Sequence, residues 1–369
     1  MDDSGLLLAA VIVAALAFDF TNGFHDTANA MATSIATRAL RPRVAVVLCG
    51  LLNFAGAFLS IKVAATIAEG IVDSGVLTLD VIFAGLLGAI AWNLLTWAAG
   101  LPSSSSHALI GGIVGATWVA VGSDAVKGAG IVEKVLIPAV LSPVICGGVA
   151  LLGTLIAYRL QGRAGPGETA RRGYRHGQVV TASLVALAHG TNDAQKTMGV
   201  ITLALIAHGS LSADDFSVPL WVKAAAATAI ALGTAIGGWR IIRTMGSRLT
   251  EIEAPQGFVA EAAAASTILA STSFGYSLST THVVSGGILG VGLGKRLAEV
   301  RWGIAGRMAG AWVLTLPAAA LVGAGADKLA GALGGGTVGV LLVGALVAIA
   351  AAGLFVAVHR RDPVGSAGV

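Results

Sequence analysis

The chain has 369 residues, of which 56% are hydrophobic and only 11% are charged. An ordinary soluble domain carries about 25% charged residues, so this composition excludes a soluble globular protein. A mean hydropathy of +0.85 leaves little surface for contact with water, and apolar runs of about 20 residues are therefore interpreted as membrane spans. We expect an all-α, multi-pass protein of the plasma membrane.

The net charge of +4 and the isoelectric point near 9.3 come from basic residues in short segments between apolar runs. A nucleic-acid-binding protein concentrates such residues along one helix face or in one patch, so nucleic acid is not an expected partner. Cys49 and Cys146 lie inside apolar runs without the spacing of a metal site. We therefore predict neither a disulfide framework nor a metal site.

Ten apolar stretches follow one another along the chain and predict about ten crossings of the lipid bilayer. They cover residues 5–24, 44–68, 81–100, 107–122, 135–158, 177–208, 218–239, 257–294, 302–322 and 337–358. The first run has no basic start and continues into polar sequence, so we expect a retained span and not a cleaved signal peptide. Polar residues interrupt the runs at 5–37, 177–208 and 257–294. They predict helices that are broken at bilayer depth, where irregular backbone is tolerated only around a cavity.

The distribution of lysine and arginine predicts the orientation of the spans. Sixteen of the 23 basic residues fall in the segments 38–43, 159–175, 240–248, 295–301 and 360–361. Short loops rich in lysine and arginine face the cytoplasm, so we assign all five segments to that side. The N-terminus is then outside and the C-terminus inside.

The segment 161–176 is the only long polar linker in the chain, and it is rich in glycine and arginine. It divides the chain into a transmembrane repeat at 1–160 and a second transmembrane repeat at 177–369. We expect the linker to be cytoplasmic. Each repeat contains about five crossings, which is an odd number, so the second repeat enters the membrane from the opposite side.

Two motifs occur once in each repeat and in the same order. GFHDTAN at 23–29 matches GTNDAQK at 190–196, which aligns Asp26 with Asp193. SSSSHALIGGIVG at 103–115 matches LSTTHVVSGGILG at 278–290. A duplication with inverted topology is typical of secondary transporters, whose substrate and ion sites lie between the repeats.

Ionisable side chains at bilayer depth are costly and therefore candidates for function. Asp26 and Asp193 are the strongest candidates because they occupy matching positions. For Asp19, Lys223 and Glu261 a structural ion pair is the preferred interpretation. His107 and His282 end the Ser/Thr clusters, and a structural role and a proton-shuttling role stay equally open for both.

The two Ser/Thr clusters each precede a glycine-rich apolar run that can begin a half-helix. Hydroxyl groups suit helix N-caps, and a helix N-terminus offers free N–H donors and a positive dipole end to an anion. A single cluster of this kind would be explained by helix capping alone. Because the cluster is duplicated, two half-helices that converge on one anion are favoured.

These motifs resemble those of the inorganic phosphate transporter (Pit) family, and in particular its bacterial proton-coupled, low-affinity branch. The duplicated family signature, approximately GANDVAN, is present as GFHDTAN and GTNDAQK, and the family's Ser-Thr-Thr-His element as LPSSSSH and SLSTTH. The resemblance implies inverted repeats, a central phosphate site and cotransport with protons or sodium. No cofactor is implied, and a homodimer is left open.

The resemblance implies roles for the residues of both motif pairs. The expected phosphate-binding residues are Ser104, Ser105, Ser106, Ser279, Thr280, Thr281, Thr27, Gln195 and Lys196. The expected coupling-ion residues are Asp26, Asp193, His25, Asn22, Asn29 and Asn192. Two of these residues depart from the family signature, because His25 and Lys196 replace asparagines. A titratable imidazole beside Asp26 and a fixed ammonium near the anion both favour protons over sodium.

The leading interpretation is a secondary active symporter that imports inorganic phosphate, alone or as a metal–phosphate complex, with protons. Within the same family, a sodium-coupled phosphate symporter and a sulfate permease are the alternatives. Outside it, Ser106, His107 and Asp26 contain the groups of an intramembrane hydrolase, but a hydrolase does not need the duplication. A passive channel would not need Asp26 and Asp193 at depth. We therefore predict that the protein is not an enzyme.

Overall fold

The computed structural model describes residues 3–161, 167–212, 216–295 and 300–361. Within these residues the regular secondary structure is helical, as predicted. The helices in chain order are α1 Asp3–Ala36, α2 Pro42–Gly56, α3 Lys62–Gly70, α4 Leu79–Ala99, α5 Ser105–Ala120, α6 Gly128–Ile131, α7 Ile137–Gln161, α8 Glu168–Ala207, α9 Leu220–Ile236, α10 Trp239–Arg243, α11 Ala254–Ser273, α12 Thr280–Lys295, α13 Trp302–Ala332 and α14 Gly336–Arg361. A single π-helical turn joins α6 to α7.

Five helices of the described chain are long and apolar enough to cross a membrane, with α6 and α7 taken as one. The other four are α1, α4, α13 and α14. The bent pair formed by α9 and α10 adds a sixth span if it is taken as one, with an angle of 60° at the break. Gly237 supplies the positive φ of +80° that this break requires. The expectation of about ten crossings stays a prediction.

Two of the three predicted helix breaks are wrong. Helix α1 runs without interruption from Asp3 to Ala36, and α8 from Glu168 to Ala207, so their polar motifs lie on intact helices. An intact helix satisfies its own backbone groups at bilayer depth, and only its side chains have to be paired. The third predicted break is present, because α11 ends at Ser273 and α12 begins at Thr280.

The packing of the helices has the twofold pattern that the duplication predicts. Helix α1 packs against α9, and its counterpart α8 packs against α2. The short helix α5 lies between α4 and α13, and its counterpart α12 lies between α11 and α7. Each short helix therefore packs against a long helix of the other repeat, and the two repeats are interlocked.

The short helices α5 and α12 have 16 residues each. They are about 24 Å long, which is less than the hydrocarbon thickness of a bilayer. Glycines let them approach the long helices closely. A Cβ atom on Gly115 would overlap the carbonyl oxygen of Ala320, and one on Gly290 would overlap that of Gly147.

The predicted cytoplasmic linker at 161–176 lies partly outside the described residues, which omit 162–166. Its second half is helical, because α8 begins at Glu168. The boundaries of the two predicted repeats stay a prediction.

Candidate functional site

The candidate site lies where α1, α8 and the first turns of α5 and α12 meet. Asp26 projects from α1, and Asp193 and Lys196 project from α8. None of these three side chains is more than 2% exposed. Two carboxylates and an ammonium thus share one closed polar compartment within the membrane-spanning part of the protein.

Asp26 is bound from three helices. Its Oδ1 atom lies 2.7 Å from Nδ1 of His25 and accepts a hydrogen bond from Thr281 at 3.4 Å. Its Oδ2 atom accepts a bond from the Ser105 hydroxyl at 2.8 Å. The other ring nitrogen of His25 lies 3.1 Å from the hydroxyl of Thr96 on α4. These contacts hold α1 against both short helices.

Asp193 is paired with Lys196, which lies one turn later on α8. The ammonium nitrogen lies 2.5 Å from Oδ1 of Asp193 and 2.5 Å from the hydroxyl of Ser106. It also donates to the backbone carbonyl of Leu278 at 3.1 Å, just before α12. Lys196 therefore joins α8 to the N-terminal ends of both short helices.

His189 is a site residue that the sequence analysis missed. Its Nδ1 atom lies 3.1 Å from Oδ1 of Asn53 on α2. Its Nε2 atom lies 3.3 Å from Oδ2 of Asp193 and 3.9 Å from Oδ2 of Asp26. His189 immediately precedes the second motif and aligns with Asn22, so an extension of the repeat alignment by one residue would have identified it.

Asn22 occupies the position in the first repeat that His189 occupies in the second, and it also contacts the aspartate of the other repeat. It donates to Oδ2 of Asp193 at 3.5 Å and accepts a bond from Ser105 at 2.6 Å. Asn29 donates to Thr280 at 3.2 Å and to Thr281 at 3.0 Å. Each repeat thus contributes polar side chains to the aspartate or the short helix of the other.

The two Ser/Thr clusters lie at the starts of α5 and α12, as predicted. Ser104 and Ser279 use their side-chain oxygens as N-caps, accepting from the backbone N–H of His107 and His282 at 3.1 and 3.2 Å. The next hydroxyls point to the carboxylates, since Thr280 donates to Asp193 at 3.4 Å. Two positive helix ends and several hydroxyls converge here, which is the arrangement that binds an oxyanion.

Three predicted site residues point away from the two aspartates. Thr27 donates to the backbone carbonyls of Gly23 and Thr234. The carbonyl oxygen of the Gln195 side chain accepts the backbone N–H of Val63 at 2.8 Å, at the start of α3. Asn192 donates to the Thr272 hydroxyl at 2.8 Å. Their predicted roles toward phosphate or the coupling ion stay predictions.

Glu261 forms a separate buried site at the other end of the α1–α8 contact. Its carboxylate accepts hydrogen bonds from Ser34 and Thr181 at 2.7 Å each and from Gln178 at 3.1 Å. Thr33 donates a further bond at 2.5 Å. Glu261 thus ties α11 to α1 and α8, although through hydroxyls and an amide and not through the ion pair that was expected.

The Ser106, His107 and Asp26 arrangement of the hydrolase alternative is not formed. The Ser106 hydroxyl donates to the backbone of Leu278 at 3.2 Å. The imidazole of His107 packs edge-on against that of His282, with ring centroids 4.9 Å apart. Because Ser106 has no imidazole base in this geometry, the cluster does not support nucleophilic catalysis.

The same site contains a set of groups that could hold a cation. One ligand atom each from Asp26, His189 and Asp193 lies within 4.8 Å of the others, and all three residues are buried. The set is formed by both repeats. A proton or a cation at this point would lie directly beside an anion bound at the two short helices.

Two interlocked helical repeats with a buried, charged site between them define an integral membrane transporter of the inverted-repeat class. The chain belongs to the phosphate transporter family, whose family model matches residues 22–165 and 161–323. This membership confirms the resemblance that the motifs indicated.

Over most of its length the chain is similar to proteins that are named as transporters. It is 56% identical over 358 residues to a protein of Mycobacterium bovis, covering 97% of this chain and 85% of that one. It is 46% identical over 327 residues to a protein of Bacillus subtilis, covering 88% and 97%. Both carry the name "probable low-affinity inorganic phosphate transporter". These matches confirm the predictions that the chain is a multi-pass membrane transporter and that it is not an enzyme.

A solved structure described as "the sodium-dependent phosphate transporter" has the same fold. Its TM-score is 0.79, with 22% sequence identity, and the match covers 87% of this chain and 98% of that one. This similarity confirms the all-helical fold of the chain.

Proposed function

We propose that the protein imports inorganic phosphate and that a proton gradient drives the uptake. The observation that carries this proposal is Lys196, whose ammonium contacts Asp193 and Ser106 at the start of α5 and reaches the backbone before α12. It places a fixed positive charge where two helix N-termini meet. Family membership and the names of the relatives support phosphate as the anion.

The charge balance of the site supports proton coupling. Asp26, Asp193 and Lys196 together leave a net negative charge, and an added phosphate makes the site still more negative. Uncompensated charge at bilayer depth is costly. His25 and His189 each lie within ion-pair distance of a carboxylate, so protons on these imidazoles can balance the charge when phosphate binds.

The side chains of the site also support alternating access. All of the charged site residues are buried, and they belong to helices of both repeats. A relative movement of the repeats would open the contacts of Asp26 and Asp193 to one side at a time. Phosphate would then replace the hydroxyl contacts that Ser105, Ser106, Thr280 and Thr281 now make within the protein.

Proteoliposomes in sodium-free buffer test the coupling ion. With an acidic outside, phosphate should accumulate inside, and a protonophore should abolish the accumulation. An absence of uptake until sodium is added would reject proton coupling and favour the sodium symporter. Competition by arsenate and sulfate tests the anion, because uptake that sulfate but not arsenate inhibits would favour the sulfate permease.

The role of Lys196 is tested by its replacement with the residue of the other repeat. Lys196→Asn introduces the residue found at the matching position of the first repeat, Asn29. This variant should abolish driven phosphate uptake, because the fixed positive charge is lost. Lys223→Asn is the matched control, since Lys223 lies on α9 outside the site. Equal uptake by both variants would contradict the assigned role.

The homodimer is tested separately by crosslinking in the membrane.

A further inference from the structure

Asp19 is a buried carboxylate that the proposed site does not use. It is fully buried, and neither of its carboxylate oxygens has a hydrogen-bond partner among the described residues. It lies on α1 three residues before Asn22 and seven before Asp26, so the three side chains share one helix face. Along the helix axis, Asp19 is about 10 Å from Asp26.

The polar groups that act on Asp19 lie on α8. The Thr197 hydroxyl lies beside the carboxyl group and is itself fully buried without a hydrogen-bond partner. The charged or titratable groups that act on Asp19 are Asp193, His189 and Lys196, all on α8. Asp193 and Lys196 are already paired with each other, so Asp19 has no cation of its own.

Asp19 and Thr197 also break the symmetry of the duplication. Asp19 aligns with Ala186 in the second repeat, and Thr197 aligns with Ala30 in the first. The duplicated residues form the anion site between the two short helices. Asp19 and Thr197 are an addition to one side of that site, and this side faces outward in the orientation predicted from the basic loops.

The chemistry of this pair favours a proton as its ligand. An ionised carboxylate without a partner is costly at bilayer depth, and the neutral acid avoids that cost. A metal cation such as Mg²⁺ or Ca²⁺ takes several oxygen ligands. The carboxyl group and one hydroxyl supply few, and the backbone carbonyls of α1 and α8 are used within the helices.

We propose that Asp19 carries a proton that is transported together with phosphate. The carboxylate binds a proton when its side of the site opens outward, stays neutral while the site is closed, and releases the proton inside. His25 and His189 lie within ion-pair distance of Asp26 and Asp193, whereas no basic side chain of the described residues forms an ion pair with Asp19. This inference rests on the proposed proton-driven uptake of phosphate.

The test compares two transport modes of Asp19→Asn in proteoliposomes. Exchange of internal for external phosphate at equal pH needs no net proton movement, so the variant should retain it. Accumulation driven by a pH gradient should be lost, and Asp19→Glu should restore part of it. Thr202→Val is the matched control, because Thr202 is an equally buried α8 hydroxyl without a partner, and it should retain both modes.

Wild-type accumulation by Asp19→Asn would overturn the inference, and so would the loss of exchange together with accumulation. Infrared spectroscopy of the wild type and the variant provides a readout besides transport. The carbonyl band of a neutral carboxylic acid should be present in the wild type and reduced in Asp19→Asn. If the wild type does not respond to a pH gradient, the proposed function fails, whereas a missing neutral-acid band alone overturns the role of Asp19.

Discussion

Lys196 and His189 show how single residues set the charge of the site. Both lie on one face of α8 with Asp193, at the spacing that places side chains above one another on a helix. Lys196 contacts Asp193 and the start of α5, and His189 lies between the two aspartates. The site therefore depends on the order of three polar residues within two helical turns.

The aspartates should be required for driven transport and not for folding. Asp26→Asn and Asp193→Asn remove a charge that balances the coupling ion, while the apolar surfaces of α1 and α8 are unchanged. Each variant should abolish concentrative phosphate uptake at normal membrane levels. Asp80→Asn, on the first turn of α4, is the control. Wild-type uptake by either site variant would remove that residue from the coupling mechanism.

The hydroxyls that follow the N-caps should bind the anion. Ser105→Ala and Thr280→Ala should each weaken phosphate binding by about 10- to 150-fold, because a hydrogen bond to a charged ligand is worth about 1.5–3 kcal/mol. Isothermal calorimetry of the purified protein measures this change. Ser266→Ala is the control, since that hydroxyl donates to the backbone carbonyl of Ala262 on its own helix. Unchanged affinity in both site variants would leave the clusters as helix caps.

Among the secondary-structure elements, the short helices α5 and α12 set the position of the proposed anion site. Their N-terminal ends meet at the site because each packs tightly against a long helix of the other repeat. The close approach requires glycine, as the positions of Gly115 and Gly290 show. A shift of either helix would move its free N–H donors away from the site.

Substitution of these contact glycines should destabilise the protein. Gly115→Ala forces a Cβ atom into the backbone of α13, and overpacking of this kind costs about 1–3 kcal/mol. Thermal unfolding in detergent should show a lower midpoint than for the wild type. Gly310→Ala is the control, because a Cβ atom there meets no atom within 4 Å. Equal midpoints for the two variants would show that α5 can move away from α13.

In the molecule as a whole, the two repeats are interlocked, because each short helix packs against a long helix of the other repeat. The packing partner of α5 is α13, and that of α12 is α7. A cavity of about 1160 Å³ lies elsewhere, mostly among apolar side chains of α1, α4 and α14. Neither aspartate of the site lines it, so the site is defined by its polar contacts.

The interlocked repeats predict the behaviour of a split protein. If the chain is divided in the predicted linker at 161–176, each half alone should give no phosphate uptake, because α5 or α12 lacks its packing partner. Coexpression of the two halves should restore uptake. Transport by a single half would show that one repeat forms a complete site, and an inactive pair at normal membrane levels would show that the covalent linker is required.

The membrane class, the duplication and the central residues of the site could all be predicted from the amino-acid sequence. Hydropathy depends on local composition, and the repeated motifs align Asp26 with Asp193 without knowledge of the fold. The same alignment placed the Ser/Thr clusters at helix starts, because N-cap preferences are local. The charge difference at Lys196 was also visible in the sequence.

The pairing of the polar side chains in the site could not be predicted from the sequence, because it depends on how the helices pack. Asn192 and Gln195 lie in the same motif as Asp193, yet they face α11 and α3, whereas His189, just outside the motif, lies between the aspartates. The face of a helix that lines a site depends on the neighbours against which the helix packs. Here those neighbours are α11 of the same repeat, 80 residues away in the chain, and α2 and α3 of the other repeat, more than 130 residues away. No local pattern encodes such contacts.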